Sequence, residues 1–180
     1  NKGDLIVVAS RPAMGKSTLA LNILSNVAIK EKRPVLMFNL ESSKENIINK
    51  LIISNSMVEA DKFEIYDKYQ KGKIKKPELR DDDWDRICFG LNILKNAPIF
   101  MGTTAPYTID DICNKSRELK LKENIELIII DYLQLIQFDK SKALSRDNET
   151  REILKELNIL AKELNIPIIV TSQLSRKVEE

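Results

Sequence analysis

The sequence contains no histidine. That absence removes every imidazole general base, every Ser-His or Cys-His nucleophile pair and every histidine metal ligand. Only two cysteines are present, Cys88 and Cys113. They cannot close a tetrahedral zinc site alone and give no disulfide framework, which points to a reducing compartment. Glycine (5) and proline (6) are scarce in a chain of 180 residues, so the composition is not that of a linker or a fibre. An excess of one charge is lacking too: 29 Lys+Arg against 27 Asp+Glu leaves +2, which is no strong nucleic-acid footprint. No apolar run approaches a membrane span, and Asn1–Asp4 leads into a short strand instead of a signal-peptide core. No membrane partner is expected. Acid–base work is left to Asp, Glu, Lys and Tyr, or the chemistry is mainly electrostatic.

What is present is a 43% hydrophobic, 31% charged chain with regular alternation of two patterns. Short β-branched runs at 5–9, 35–40, 99–102, 126–131 and 168–172 read as strands, the first of them buried on both faces. Between them lie stretches of helical period. Leu19, Ala20, Ile23, Leu24, Val27 and Ala28 share one face of a helix over 16–29. Ser42 and Glu45 fit a capping box opening a helix to about Ser56, and Thr108 and Asp111 fit a second, opening a helix to about Leu121. A short helix near 61–69 precedes an exposed basic loop with Lys68, Lys71, Lys73, Lys75, Lys76 and Arg80. Trp84, Ile87, Cys88, Leu91 and Leu94 mark one further amphipathic face, and Ile153 to Leu164 another, after a loop over 138–147. Strand–helix alternation predicts an α/β fold: a mostly parallel, five-stranded sheet with helices on both faces, in a single domain spanning 1–180.

The most specific segment is Ser10-Arg11-Pro12-Ala13-Met14-Gly15-Lys16-Ser17. It fits G-x-x-x-x-G-K-[ST] except that Ser10 stands at the first glycine, and it lies between a strand and a helix. Gly15 would let the backbone turn closely around a phosphate. The N–H groups of Ala13, Met14, Gly15, Lys16, Ser17 and Thr18 would form an anion nest at a helix N-terminus. Lys16 would reach the β- and γ-phosphates of ATP, and the Ser17 hydroxyl would ligate Mg²⁺.

Three polar residues stand at the ends of other strands. Asp131 closes a wholly apolar run, where a carboxylate can hold Mg²⁺ or merely cap a turn. Glu41 follows the second strand, where it can activate a water or simply favour the entry of the next helix. Gln173 follows the fifth, as a γ-phosphate sensor or as an ordinary polar strand end. Spacing alone leaves these alternatives open.

In order along nearly the whole chain, these segments resemble the C-terminal ATPase domain of DnaB-type replicative DNA helicases. The resemblance is carried by residues 9–17, by Val35 to Glu41, by Asp131-Tyr132-Leu133-Gln134-Leu135-Ile136, by Ala161 to Pro167, and by Ser172-Gln173-Leu174-Ser175-Arg176. Asp83-Trp84 matches a recurrent pair of that family. It implies a RecA-like P-loop NTPase core that hydrolyses ATP with Mg²⁺, in a hexameric ring of identical subunits moving on single-stranded DNA at a replication fork. Glu41 would then be the catalytic base, Gln173 the sensor, and Lys16 the third catalytic residue. Primase and a helicase loader are the implied partners. Bacterial cytoplasm at the nucleoid, or an organelle of bacterial descent, is the implied location.

The family continues past this point, so the chain is expected to be truncated on its C-terminal side, without the arginine finger, and weakly active or inactive alone. Lys140, Lys142 and Arg146 would lie where a ring channel could offer DNA phosphates. Two other readings compete: a RecA-like ATPase of recombination or repair, and a regulatory nucleotide-binding module. The Arg-Pro phosphate loop and Asp131–Gln134 argue against the former. Glu41, where a module with little turnover would carry Gln, argues against the latter.

Overall fold

The computed structural model describes residues 1–73, 80–102, 107–138 and 145–174. Lys75, Lys76, Lys140, Lys142, Ser175 and Arg176 lie outside them. The chain forms two compact units, one of 1–44 with 98–180 and one of 45–97.

Among the described residues the first unit holds every strand: β1 (Leu5–Ser10), β2 (Val35–Asn39), β3 (Ile99–Met101), β4 (Leu127–Asp131) and β5 (Ile168–Gln173). These strands pair in parallel, in the order β1-β5-β4-β2-β3. Parallel neighbours need covered crossovers, and α1 (Lys16–Ser25), α5 (Ile109–Glu123) and α6 (Arg146–Leu164) supply the cover. Leu36, Phe38, Ile128, Ile130, Ile168 and Val170 project from one sheet face into a core with Ile112 of α5 and Leu157 and Leu160 of α6. Strand side chains alternate, so Val35, Met37 and Ile129 turn to the opposite face. There α1 packs on β4 and β5 through Ala20, Leu21 and Leu24.

Three strands begin just after a proline: Pro34, Pro98 and Pro167. Each proline carbonyl accepts from a neighbouring strand or its lead-in: Glu126 N–H at 2.8 Å, Val35 N–H at 3.0 Å and Ile128 N–H at 3.1 Å. The Thr108–Asp111 capping box forms as expected. Thr108 N–H donates to Asp111 Oδ2 at 2.9 Å and Asp111 N–H to Thr108 Oγ1 at 3.1 Å. The Thr108 hydroxyl, which donates to Asp111 Oδ2 at 2.7 Å, and then the Thr108 N–H hold the Asp111 carboxyl below the ordinary range.

Several expectations need correction. β1 is not buried on both faces: Ile6 is 40% and Val7 46% exposed. The cause is its place at the edge of the sheet, paired on one side only. Leu19 is 48% exposed, and Leu21 takes its place under the sheet. α1 ends at Ser25 and continues as a π-helical turn, Asn26–Lys30, which shifts the apolar face. α2 (Lys44–Ser56) starts two residues past Ser42, so Ser42 is not its N-cap; the Ser42 N–H donates to Asn39 Oδ1 at 2.6 Å. α6 begins at Arg146, inside the expected loop.

The second unit is helical: α2, α3 (Ala60–Gln70) and α4 (Asp81–Lys95). Ile52, Val58, Phe63 and Ile87 form its core. Trp84 meets the rings of Tyr66 and Tyr69 edge-on, at 5.4 and 5.9 Å between centroids. Asp83 is buried, and its charge is met by Lys62 Nζ at 3.3 Å while it also accepts from the Arg80 N–H at the start of α4. Cys88, expected on the apolar face, is exposed. Lys68 pairs with Glu64 at 2.7 Å and Lys71 with Asp67 at 2.8 Å. The described part of the basic stretch is therefore a solvated, internally balanced face. Cys113, in the first unit, is buried, and burial pushes its thiol up to about 11; it is inert near neutrality.

One close approach fixes a residue choice. Gly102 follows β3, and a Cβ there would lie 2.6 Å from Phe38 Cδ1 and 2.8 Å from the Tyr107 hydroxyl. Phe38 is fully buried and cannot yield. Gly102→Ala should cost about 1–3 kcal/mol by overpacking. Chemical denaturation checks this, and an unchanged midpoint would show that the Phe38 pocket has slack.

Candidate active site

In an open parallel sheet, ligands bind beyond the carboxyl ends of the strands. Ser10, Asn39, Asp131 and Gln173 close their strands at that edge. The phosphate loop runs from β1 into α1 there. Its turn depends on left-handed backbone at Ala13 (φ 62°) and Gly15 (φ 83°). Gly15 is the N-cap of α1, and the Leu19 N–H donates to its carbonyl at 2.9 Å. The N–H groups of Lys16, Ser17 and Thr18 thus belong to a first turn that has no intrahelical acceptors. No side chain caps this end, which leaves it to an anion. Ser10 belongs to the strand and has no positive φ. A glycine is not needed at that position.

A cleft of about 380 Å³ opens over the loop, lined by Pro12, Ala13, Gly15, Lys16, Ser17, Thr18, Glu41 and Gln173. Residues far apart in sequence thus converge on one space. The ladder explains how. β1 and β5 stay in register to Ser10↔Gln173, and the Leu174 N–H continues onto the Ser10 carbonyl at 3.0 Å. On the other side, the Leu40 N–H donates to the Asp131 carbonyl at 2.8 Å, so Glu41 emerges next to the end of β4. Glu41 is exposed. Met14 stands apart from the other loop candidates. Its side chain is 72% exposed and its N–H donates to the Arg11 carbonyl at 3.4 Å.

Asp131 does not line the cleft. It is 1% exposed, at the end of β4 between β2 and β5. Oδ1 accepts from the Thr171 hydroxyl at 2.5 Å, while the buried Oδ2 has no hydrogen-bond partner among the described residues. Its cross-strand neighbour Asn39 likewise has an unpartnered Nδ2. Buried polar atoms are rarely left so. An orphaned carboxylate oxygen on this edge has the chemistry to hold a cation. Among the described residues no group of three acidic or cysteine side chains could hold a metal. A Mg²⁺ here would be held by few protein groups, together with water and phosphate oxygens.

Thr171, Asn39 and Gln134 escaped the sequence reading as site residues. Thr171 and Asn39 were signalled only by a polar side chain closing an apolar strand. Arg146, considered above for DNA phosphates, donates to the Gln134 carbonyl at 2.6 Å and pairs with Glu149 at 3.5 Å.

A glycine-turned loop that feeds a helix N-terminus at the carboxyl edge of an all-parallel sheet defines the class: a RecA-like P-loop nucleotide-binding fold. The particular family follows from comparison. The family model described as the DnaB-like helicase C terminal domain matches residues 1–180, and the chain belongs to that family. It is 37% identical over 179 residues to the replicative DNA helicase DnaB of Geobacillus stearothermophilus, covering 99% of this chain and 37% of the relative. It is 40% identical over 179 residues to DnaB of Buchnera aphidicola subsp. Baizongia pistaciae, covering 98% and 36%. Among solved structures, an ATPase domain superposes with a TM-score of 0.86 at 28% identity, covering 99% of this chain and 60% of that one. A DnaB-like replicative helicase studied for its interactions with primase gives 0.84 at 29%, covering 99% and 40%. The chain thus spans little more than a third of the length of these curated relatives. Among the described residues, no helix is long and apolar enough to cross a membrane.

Proposed function

We propose that residues 1–180 act as one ATP-hydrolysing motor domain of a replicative DNA helicase. The motor would work as one subunit of a hexameric ring that translocates on single-stranded DNA and unwinds the fork. The observation that carries this reading is the cleft itself. It joins a phosphate-binding helix N-terminus to Glu41 and Gln173, and a module that only bound nucleotide would not need the acid.

In this reading the loop N–H groups and Lys16 hold the phosphates of ATP, and Lys16 neutralises charge that develops between the β- and γ-phosphates. Ser17 and Asp131 would hold Mg²⁺, which supplies further neutralisation of phosphate charge when bound. Glu41 orients a water and takes its proton as the water oxygen bonds to the γ-phosphorus and the bond to the β-bridging oxygen breaks. The products are ADP and inorganic phosphate. Gln173 donates to a γ-phosphate oxygen and so distinguishes ATP from ADP. None of these tasks needs an imidazole. Primase and a loader would be partners of the whole protein, and the bacterial cytoplasm at the nucleoid its location.

The test is ATP turnover with and without single-stranded DNA, with this chain carried in a protein of its relatives' length. Turnover should rise on adding DNA, and the gain should shrink with added salt, as for any phosphate-backbone contact. Turnover indifferent to DNA at every salt concentration would remove the motor reading in favour of a regulatory module.

A further inference from the structure

Gln134 lies in the 3-10 turn Leu133–Leu135 that follows β4. Both ends of its carboxamide are engaged at the end of β5. Nε2 donates to Ser172 Oγ at 2.9 Å and to the Gln173 carbonyl at 3.0 Å, and Oε1 accepts from the Gln173 N–H at 3.2 Å. A peptide group of a neighbouring strand would bond in the same way.

Such a neighbour is missing at that point. β4 and β5 pair only as far as Ile130↔Val170, so the β4 side of β5 has no strand partner beyond Val170. The other side is occupied, since β1 continues to Ser10 and receives the Leu174 N–H. In a strand, successive residues direct their N–H and C=O to alternate sides. Gln173 directs both to the side where β4 has ended, and the Gln134 side chain meets them there. Gln134 is itself fixed. The Leu135 N–H closes the turn on the Tyr132 carbonyl at 3.2 Å, and Arg146 Nη2 donates to the Gln134 carbonyl at 2.6 Å.

We infer that Gln134 is a positioning residue. It replaces the missing strand at Gln173, fixes the backbone there, and so sets the direction in which the Gln173 side chain enters the cleft. It also ties that side chain to the turn after Asp131, so that the cation-holding strand and the γ-phosphate contact keep one spacing. This inference rests on Gln173 contacting the γ-phosphate.

The test compares affinities for a non-hydrolysable ATP analogue and for ADP in the purified protein, by calorimetry. Gln173→Ala should weaken the analogue roughly ten- to a hundredfold, the worth of one hydrogen bond to a charged group, and leave ADP unchanged. Gln134→Ala should reproduce that selective loss without touching nucleotide itself. So should the near-isosteric Gln134→Glu, which removes both donated bonds with little change of shape. The double variant Gln134→Ala/Gln173→Ala should be no worse than Gln173→Ala alone, because the two act in series. Equal loss for ADP and the analogue would mark Gln134 as merely structural. Additive losses, or no effect of either Gln134 variant beside a clear effect of Gln173→Ala, would also overturn the inference while sparing the sensor. If Gln173→Ala leaves the ratio of affinities unchanged, the γ-phosphate contact falls and this inference falls with it.

Discussion

Lys16→Ala is expected to remove ATP binding, with an affinity loss of roughly 10²–10⁴-fold, while the protein stays folded. Lys16 is half-buried in the first turn of α1 and lines the cleft. It forms no ion pair with any described acid. Its charge is therefore available to phosphate. Each charge-assisted bond lost is worth about 1.5–3 kcal/mol, and two phosphates would be abandoned together. The helix should be indifferent, since alanine is the best helix former. Calorimetric titration with ATP, beside a thermal melt, separates the outcomes. Wild-type affinity in a folded variant would dismiss the phosphate-loop assignment.

Glu41→Gln is expected to do the reverse. ATP should stay bound, because Glu41 carries no phosphate contact in the proposed chemistry, while turnover falls by roughly 10²–10⁴-fold with the loss of the general base. The swap is isosteric, and Glu41 is exposed and not part of any core, so stability should be unchanged. Steady-state turnover in a protein of the relatives' length gives kcat, and filter binding gives ATP affinity. Retained kcat would reassign Glu41 to the helix-entry role that its spacing also allowed.

The parts of this molecule written in local pattern were legible beforehand. The parallel sheet, the Thr108 cap and the α6 face depend on period and capping, which act over a few residues. Asp131 was located because a run of buried apolar residues ended in a charge. The misreadings have one cause, which is that neighbours in space decide what neighbours in sequence cannot. β1 carries the composition of a central strand, yet it pairs only with β5. Leu19 and Leu21 are equally apolar, and only the way α1 lies against the sheet decides which of them is buried. The candidate site shows the same division. Lys16 and Ser17 are announced by a contiguous motif, whereas the tie between Thr171 and Asp131 joins positions 40 apart. Gln134, three residues past Asp131, stands in the segment that carries the family resemblance, but its tie to Gln173 joins positions 39 apart and left no local sign of its role.

The three prolines at the starts of β2, β3 and β5 have a bearing on motion. A proline has no N–H to give, so the ladder cannot slide past it, and its carbonyl is already claimed by a neighbouring strand. That edge of the sheet is pinned, like the clamped end of a cantilever. In the proposed chemistry, any displacement at the phosphates would be taken up at the opposite edge, where Glu41, Asp131 and Gln173 sit.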